Sequence, residues 1–198
     1  MKYNLLRNLD DSLKSFELIK QESEKLWKNH WDKPLHWSSY IQEGTKWNKG
    51  LTEEELLAFQ NAMGFEFPRS LKNYYRTMNG LDKPGIRYDY YEDENKPYFF
   101  PVFYSFPNDI VLIKEKIGYV MEDCNITKSD NVPRIFPSHS HRFLIVDKQG
   151  PILSMVGLDI IYWAESLAKS IAYDIFLPPW KKMNNRMPKS SFWTDKII

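Results

Sequence analysis

Five stretches of the chain space their apolar residues three or four positions apart, which is the pattern of a helix with one buried face. The first can be capped by Asp10 or Asp11 and runs to about Trp31. The last covers Ser166 to about Phe176 and stops before a Pro-Pro pair. The pattern therefore predicts one helix near each end of the chain and three between them.

The three middle helices have clear start and stop signals. Thr52 and Glu55 have the spacing of a capping box, and Gly64 is placed to end that helix in a left-handed conformation. Pro68 begins the next helix, which Asn79-Gly80 should end. A third begins after Asn108 or Asp109, although Gly118 weakens it. The first two are so closely spaced that they should form a compact helical pair.

Between these helices the apolar pattern favours strands and loops. Three β-type runs, residues 141–147, 151–155 and 159–163, are separated by short turns and predict an antiparallel meander. The aromatic run from Tyr98 to Phe106 predicts a further strand despite Pro101. The polar stretch from Leu35 to Gly50 predicts a surface loop.

Composition narrows the range of functions. With 27 Lys+Arg against 26 Asp+Glu, the charge is balanced, which argues against direct binding of nucleic acid or a membrane surface. No apolar run reaches the roughly 18 residues of a membrane span, and no secretory signal is evident. Cys124 has no partner cysteine in the chain, so we expect a cytoplasmic protein. Aromatic residues make up 16%, either as core or as partner contacts.

Candidate catalytic and metal chemistry is weak. His139 and His141, two residues apart on an expected strand, could offer two metal ligands on one face, but a zinc site needs three or four. Cys124 has acidic neighbours, which disfavour a reactive thiolate. No phosphate-binding, nucleophile-elbow or zinc-protease motif occurs. We therefore expect no catalytic residue, no metal site and no cofactor.

The acidic, tyrosine-rich segment from Tyr88 to Glu94 is the best candidate for a binding surface. Tyrosine provides a large contact area at low entropic cost, and carboxylates can guide association with a basic surface. An ordinary solvated loop would look the same from sequence. The predicted partner-binding residues are Tyr88, Asp89, Tyr91, Glu92, Asp93 and Glu94.

Several motifs together resemble the SUKH superfamily, which includes bacterial toxin-immunity proteins and fungal cell-wall assembly regulators. The capped helix from Leu51, the link from Gly64 to Pro68, and the helix ending in Asn79-Gly80 are similar to the opening of that family. Pro133 to Leu144 and Pro151 to Tyr162 are similar to its second half. Phe67 replaces the family's usual leucine, and Ser138 to Ser140 departs from an expected bulkier stretch.

The resemblance implies a SUKH-like α+β fold, with helices packed around a twisted antiparallel sheet, and a protein-binding role without catalytic residues. We expect an N-terminal helix and loop extension over residues 1–50, a SUKH-like domain over 51–177, and a tail over 178–198 that is docked or partly flexible.

Three functional hypotheses follow. The first is an immunity protein, a monomer or weak dimer, that neutralises a cognate bacterial toxin, for instance a nuclease, by direct binding and steric occlusion. The second is a regulatory scaffold of the cell-wall assembly regulator type without a toxin partner. A His-dependent enzyme is the least favoured, because fold resemblance supplies no reactive centre.

Overall fold

The structure, a computed structural model, describes residues 8–29, 40–89, 93–127, 132–146, 150–176 and 192–193, and gives the backbone alone for residues 29, 88, 89 and 93–95. These ranges contain five helices and eight strands. The helices are α1 (Leu13–Asn29), α2 (Glu53–Met63), α3 (Arg69–Thr77), α4 (Ile110–Asp123) and α5 (Leu167–Phe176). The strands are β1 (Trp47–Lys49), β2 (Met78–Leu81), β3 (Gly85–Asp89), β4 (Asp93–Phe100), β5 (Ile135–His139), β6 (Arg142–Ile145), β7 (Ile152–Val156) and β8 (Asp159–Ala164). The α+β class is confirmed.

The strands in these ranges form three antiparallel sheets. β1 pairs with β2, β3 pairs with β4, and β5 to β8 form a four-stranded sheet in chain order. The predicted meander is confirmed as β6, β7 and β8, and β5 adds a fourth strand on the side of β6. None of the five helices in these ranges has the length and apolar character needed to cross a membrane.

The helical pair α2–α3 forms largely as its local signals predict. Thr52 accepts the Glu55 backbone N–H while the Glu55 carboxylate accepts the Thr52 N–H, and Gly64 ends α2 with φ at 76°. α3 begins directly after Pro68. Its predicted end at Asn79-Gly80 is wrong, because residues 78–81 leave the helix to pair with β1.

The start of α1 corrects the predicted cap. The Ser12 hydroxyl accepts the Ser15 backbone N–H at 3.3 Å, and the Asp10 carboxylate accepts the Ser12 backbone N–H at 3.2 Å. The Asp11 carboxylate instead accepts the Ala168 N–H at 2.8 Å, at the beginning of α5. Asp11 therefore stabilises the far end of the chain. The expected helix end at Trp31 lies outside the described residues.

Two strand expectations also change. The aromatic strand is β4, which ends at Phe100, because Pro101 has no N–H to continue the ladder; Phe103 then forms only an isolated bridge with His139. The expected loop from Leu35 to Gly50 contains β1, and its residues 35–39 lie outside the described part.

The four-stranded sheet separates two hydrophobic cores. Alternate residues of β6 point to opposite faces, so Leu144 joins the main core while Phe143 and Ile145 join a second one. The main core is formed with α1, α2, α3 and α5, and buries Phe16 and Tyr74 completely. We call the smaller one the second core; its buried members are Val120, Cys124, Ile135, Phe143, Ile145, Leu153, Met155, Ile160 and Trp193.

Candidate functional site

β3 and β4 form a two-stranded antiparallel ribbon, residues 85–89 and 93–100, which we call the β3–β4 ribbon. Its register pairs Gly85 with Phe100, Arg87 with Tyr98, and Asp89 with Asp93. Among the described strands, neither β3 nor β4 pairs with a third one. The described part of the ribbon therefore extends from its base, at the Gly85–Phe100 pair, to the Asp89–Asp93 pair.

The structure places the predicted binding residues around the end of this ribbon. Tyr88 and Asp89 end β3, and Asp93 and Glu94 begin β4, so the expected loop is in part a hairpin. The pairing register of β3 with β4 changes between Tyr88 and Asp89, so the backbone of Asp89 lies opposite that of Asp93. Tyr91 and Glu92 lie outside the described residues. Four of the six predicted residues are thus placed together by their backbones.

Two aromatic residues of β4 lie on the surface of the ribbon. Tyr98 is 63% exposed and Phe99 is 54% exposed. Because neighbouring strand residues point to opposite faces, each face of the ribbon carries one of these rings. Large rings with such exposure are costly to leave in water and are typical of protein-binding surfaces.

The base of the ribbon is fixed by close packing. The Phe100 ring lies 5.6 Å from that of Tyr40 and 6.0 Å from that of Tyr98, nearly parallel to the latter at 16°. Gly85 is buried beneath it, and a Cβ atom there would come within 2.6 Å of Val102 Cγ2. The ribbon is thus held at its base while Tyr98 and Phe99 stay accessible.

A second surface feature lies between α2 and α3. It is an open cavity of about 740 Å³, with Leu57 and Phe65 as its larger apolar residues and the Lys72–Glu66 ion pair at 2.6 Å. Its lining residues are Leu57, Gln60, Asn61, Gly64, Phe65, Glu66 and Lys72. Because the cavity is open and its lining mixes polar and apolar residues, it suits contact with a surface better than enclosure of a small molecule.

The histidine chosen from sequence lies in a buried polar centre. His139 Nε2 is 2.5 Å from the Asp174 carboxylate, and the Arg142 guanidinium contacts both oxygens of that carboxylate at 3.0 and 3.3 Å. Arg142 also donates to Ser154 Oγ at 2.6 Å and lies 3.4 Å from the centre of the Trp163 ring. These charges are buried but paired, which is the condition under which a folded protein tolerates them.

This arrangement places a negative charge between two partners beneath the sheet. Burial alone would raise the pKa of Asp174, but its contacts with His139 and Arg142 outweigh burial and lower it. The side chains of His139, Arg142 and Asp174 are each exposed by 4% or less. His139 on β5 and Arg142 on β6 thus join the sheet to Asp174 on α5 through hydrogen bonds and ion pairs.

The sequence-based metal geometry is wrong in its premise. His139 ends β5, whereas His141 lies in the turn before β6, with Ser140 at φ 47° between them. The two imidazoles therefore do not share one strand face. Across the described ranges, no group of three or more His, Cys, Asp or Glu side chains could hold a metal ion. Cys124 is buried in the second core.

Tyr98 and Phe99 were missed as binding residues because their run was predicted only as a strand, with no exposed face assigned to it. The usual signal for a half-exposed strand is alternation of apolar and polar residues, and residues 97–100 do not alternate. A ribbon with two accessible faces can carry exposed rings on both, as here. A sequence of this kind would also suit a strand inside a larger sheet, and only the absence of a third neighbouring strand among the described residues shows that it forms a ribbon.

Comparison with known proteins agrees with the motifs in α2, α3 and the four-stranded sheet. The model of the SMI1 / KNR4 family (SUKH-1) matches residues 50–166, which include the α2–α3 pair, the ribbon and all of the four-stranded sheet. Comparison with curated proteins and with solved structures finds no match. Because the family model covers more than half of the chain, the protein belongs to the SMI1 / KNR4 family (SUKH-1).

Proposed function

We propose that this protein is an immunity protein that binds a cognate bacterial toxin through the β3–β4 ribbon and blocks it sterically. The observation that carries the proposal is the exposure of Tyr98 and Phe99 on a ribbon whose base is fixed. Family membership supports a protein-binding role, since SUKH proteins include toxin-immunity proteins. A ribbon anchored at its base loses little entropy on binding, which favours affinity.

The sequence around the turn indicates the kind of toxin surface. Asp89, Glu92, Asp93 and Glu94 concentrate carboxylates near the end of the ribbon. A basic substrate groove, such as that of a nuclease, would attract them and speed association. In this proposal the acidic end meets the groove while Tyr98 and Phe99 provide the apolar contact. Binding there would exclude the substrate without any chemistry by the immunity protein.

The proposal sets the protein in the cytoplasm as a monomer or weak dimer, without cofactor. A single buried cysteine suits a reducing compartment. Arg87 and Lys96 lie nearer the middle of the ribbon, so the attraction to a basic partner would be concentrated at its Asp89–Asp93 end.

The test uses the product of the neighbouring open reading frame as the candidate toxin. Co-expression should restore growth, and a pull-down should recover a complex. Replacing Tyr98 and Phe99 together by alanine should weaken binding at least about thirtyfold, the loss expected of an interface hot spot, and abolish growth rescue. The matched control is Tyr119→Ala, because Tyr119 is a tyrosine of similar exposure, 58%, that belongs to α4 and not to the ribbon.

Each outcome has a distinct meaning. Equal loss of binding in Tyr119→Ala would contradict the assignment to the ribbon. A complex that forms without restoring growth would contradict neutralisation of a toxin, whereas a neighbouring gene that encodes no toxin would favour the regulatory scaffold. Failure to recover any complex with the neighbouring gene product, together with no growth rescue, would contradict the immunity role.

A further inference from the structure

The second core is completed by a residue near the C-terminus. Trp193 is 0% exposed, and its indole N–H donates to the Pro133 carbonyl oxygen at 2.9 Å. The Phe192 ring meets it edge-on, with 5.4 Å between the ring centroids and an angle of 85°. A single indole group is thus both enclosed by apolar residues and matched by a hydrogen-bond acceptor.

The other buried members of the second core come from elements far away along the chain from Trp193. Val120 and Cys124 come from α4 and its end, and Phe143, Leu153 and Ile160 come from three strands of the four-stranded sheet. All are buried, and Trp193 itself lies outside every helix and strand. The walls are therefore held by α4, the sheet and the Pro133 segment, independently of the residue that fills the space.

We infer that the α4-facing side of the sheet is a binding pocket for an indole, which the protein fills with its own Trp193. An ordinary core residue is held by the helix or strand to which it belongs, whereas among the described residues Trp193 is held by its ring contacts and its hydrogen bond to Pro133. The pocket takes a flat bicyclic aromatic group that carries one N–H donor. It lies behind the sheet and is independent of the ribbon and of the proposed toxin.

The test is chemical rescue in the full-length protein. Trp193→Ala should lower the melting temperature by roughly 10 °C, because a large buried ring is lost. Added indole should restore most of that loss in Trp193→Ala and leave the wild-type melting temperature unchanged. In the ¹⁹F NMR spectrum, 5-fluoroindole should give a bound signal with Trp193→Ala and none with wild type.

Two controls make the test specific. N-methylindole, which cannot donate to Pro133, should bind roughly fivefold more weakly than indole. Trp193→Phe should keep the pocket filled by a ring and give no bound 5-fluoroindole signal. If Trp193→Ala is unfolded alone, saturating indole should restore a dispersed NMR spectrum by mass action. Absence of both rescue and a bound signal, or equal binding to wild type, would overturn the inference.

Discussion

Aromatic rings are buried in the main core but exposed on the β3–β4 ribbon. In the main core, Phe59 is completely buried and lies 4.6 Å from Phe106, 4.9 Å from Phe67 and 5.0 Å from Tyr75, centroid to centroid. In the ribbon, Tyr98 stacks on Phe100 and otherwise faces solvent over 63% of its surface. Both side chains are aromatic, but the main core covers Phe59 on all sides, whereas Tyr98 is covered mainly by Phe100.

Charged residues follow the same division. Beneath the sheet, Asp174 is enclosed with His139 and Arg142, so its charge depends on fixed partners. At the end of the ribbon, the sequence groups like charges that have no such requirement when solvated. Rings and charges in the core are enclosed by fixed partners and should contribute stability, whereas those in the ribbon should contribute little to it. Substitutions in the two regions should therefore differ in their effect on stability, from the largest in the core to the smallest in the ribbon.

The largest effect is expected from the centre of the aromatic cluster. Phe59→Ala should lower the free energy of unfolding by about 4 kcal/mol, because it removes a ring with four aromatic neighbours and leaves a cavity. Urea denaturation at constant m-value measures the change. A loss as small as that of an exposed ring would contradict the division.

The buried charge should come next. Asp174→Asn should cost about 3 kcal/mol at neutral pH, because it leaves the Arg142 guanidinium buried without its counter-charge. A carboxyl group whose pKa is lowered on folding stabilises the folded protein at pH values above its unfolded pKa, 3.8. That stabilisation is lost as the pH falls through the pKa of the folded state. The gap between wild type and variant should therefore narrow below about pH 4, as denaturation across pH 2–7 would show. A gap independent of pH would contradict this account.

A smaller effect of opposite sign is expected at Tyr74. Its ring is fully buried, and its hydroxyl has no hydrogen-bond partner among the described residues. Burial raises the pKa of Tyr74, as expected for a hydroxyl kept from water. Tyr74→Phe should therefore raise the free energy of unfolding by up to about 1 kcal/mol. A clear loss of stability would indicate that the hydroxyl is paired.

The smallest effects on stability belong to the ribbon. Phe99→Ala should change the free energy of unfolding by less than about 0.5 kcal/mol, in contrast to Phe59→Ala. Replacing Glu92, Asp93 and Glu94 together by lysine should leave the melting temperature nearly unchanged. If the proposed toxin is the partner, the same change should slow association with it and flatten the dependence of association on salt. Stopped-flow association at several salt concentrations measures this. Unchanged association would show that the end of the ribbon is the wrong surface.

Local signals allowed much of the fold to be predicted. Thr52, Glu55 and Gly64 act through contacts within a few residues, so their roles in α2 follow from spacing alone. β1 and β2 could not be found in this way, because Trp47 pairs with Leu81, far along the chain. The role of Asp11 in capping α5 depends on a contact across 157 residues.

The candidate site was only half predictable for the same reason. Its acidic, tyrosine-rich composition marked residues 88–94, but the exposure of Tyr98 and Phe99 depends on which strands lie beside β4. Likewise, nothing near His139 in sequence reveals Asp174, 35 residues away. The sequence identified the side-chain chemistry of these residues, but it could not predict which distant residues would lie beside them.

The bond from Asp11 to the start of α5 sets an order of events during synthesis. α1 leaves the ribosome first, with Phe16 and Ile19 on its apolar face, yet α5 must also emerge before Ala168 can meet Asp11. Contacts between such distant positions close slowly, because a long loop must be ordered first. The bond between Asp11 and Ala168 therefore forms only after the segment that builds the four-stranded sheet has been synthesised.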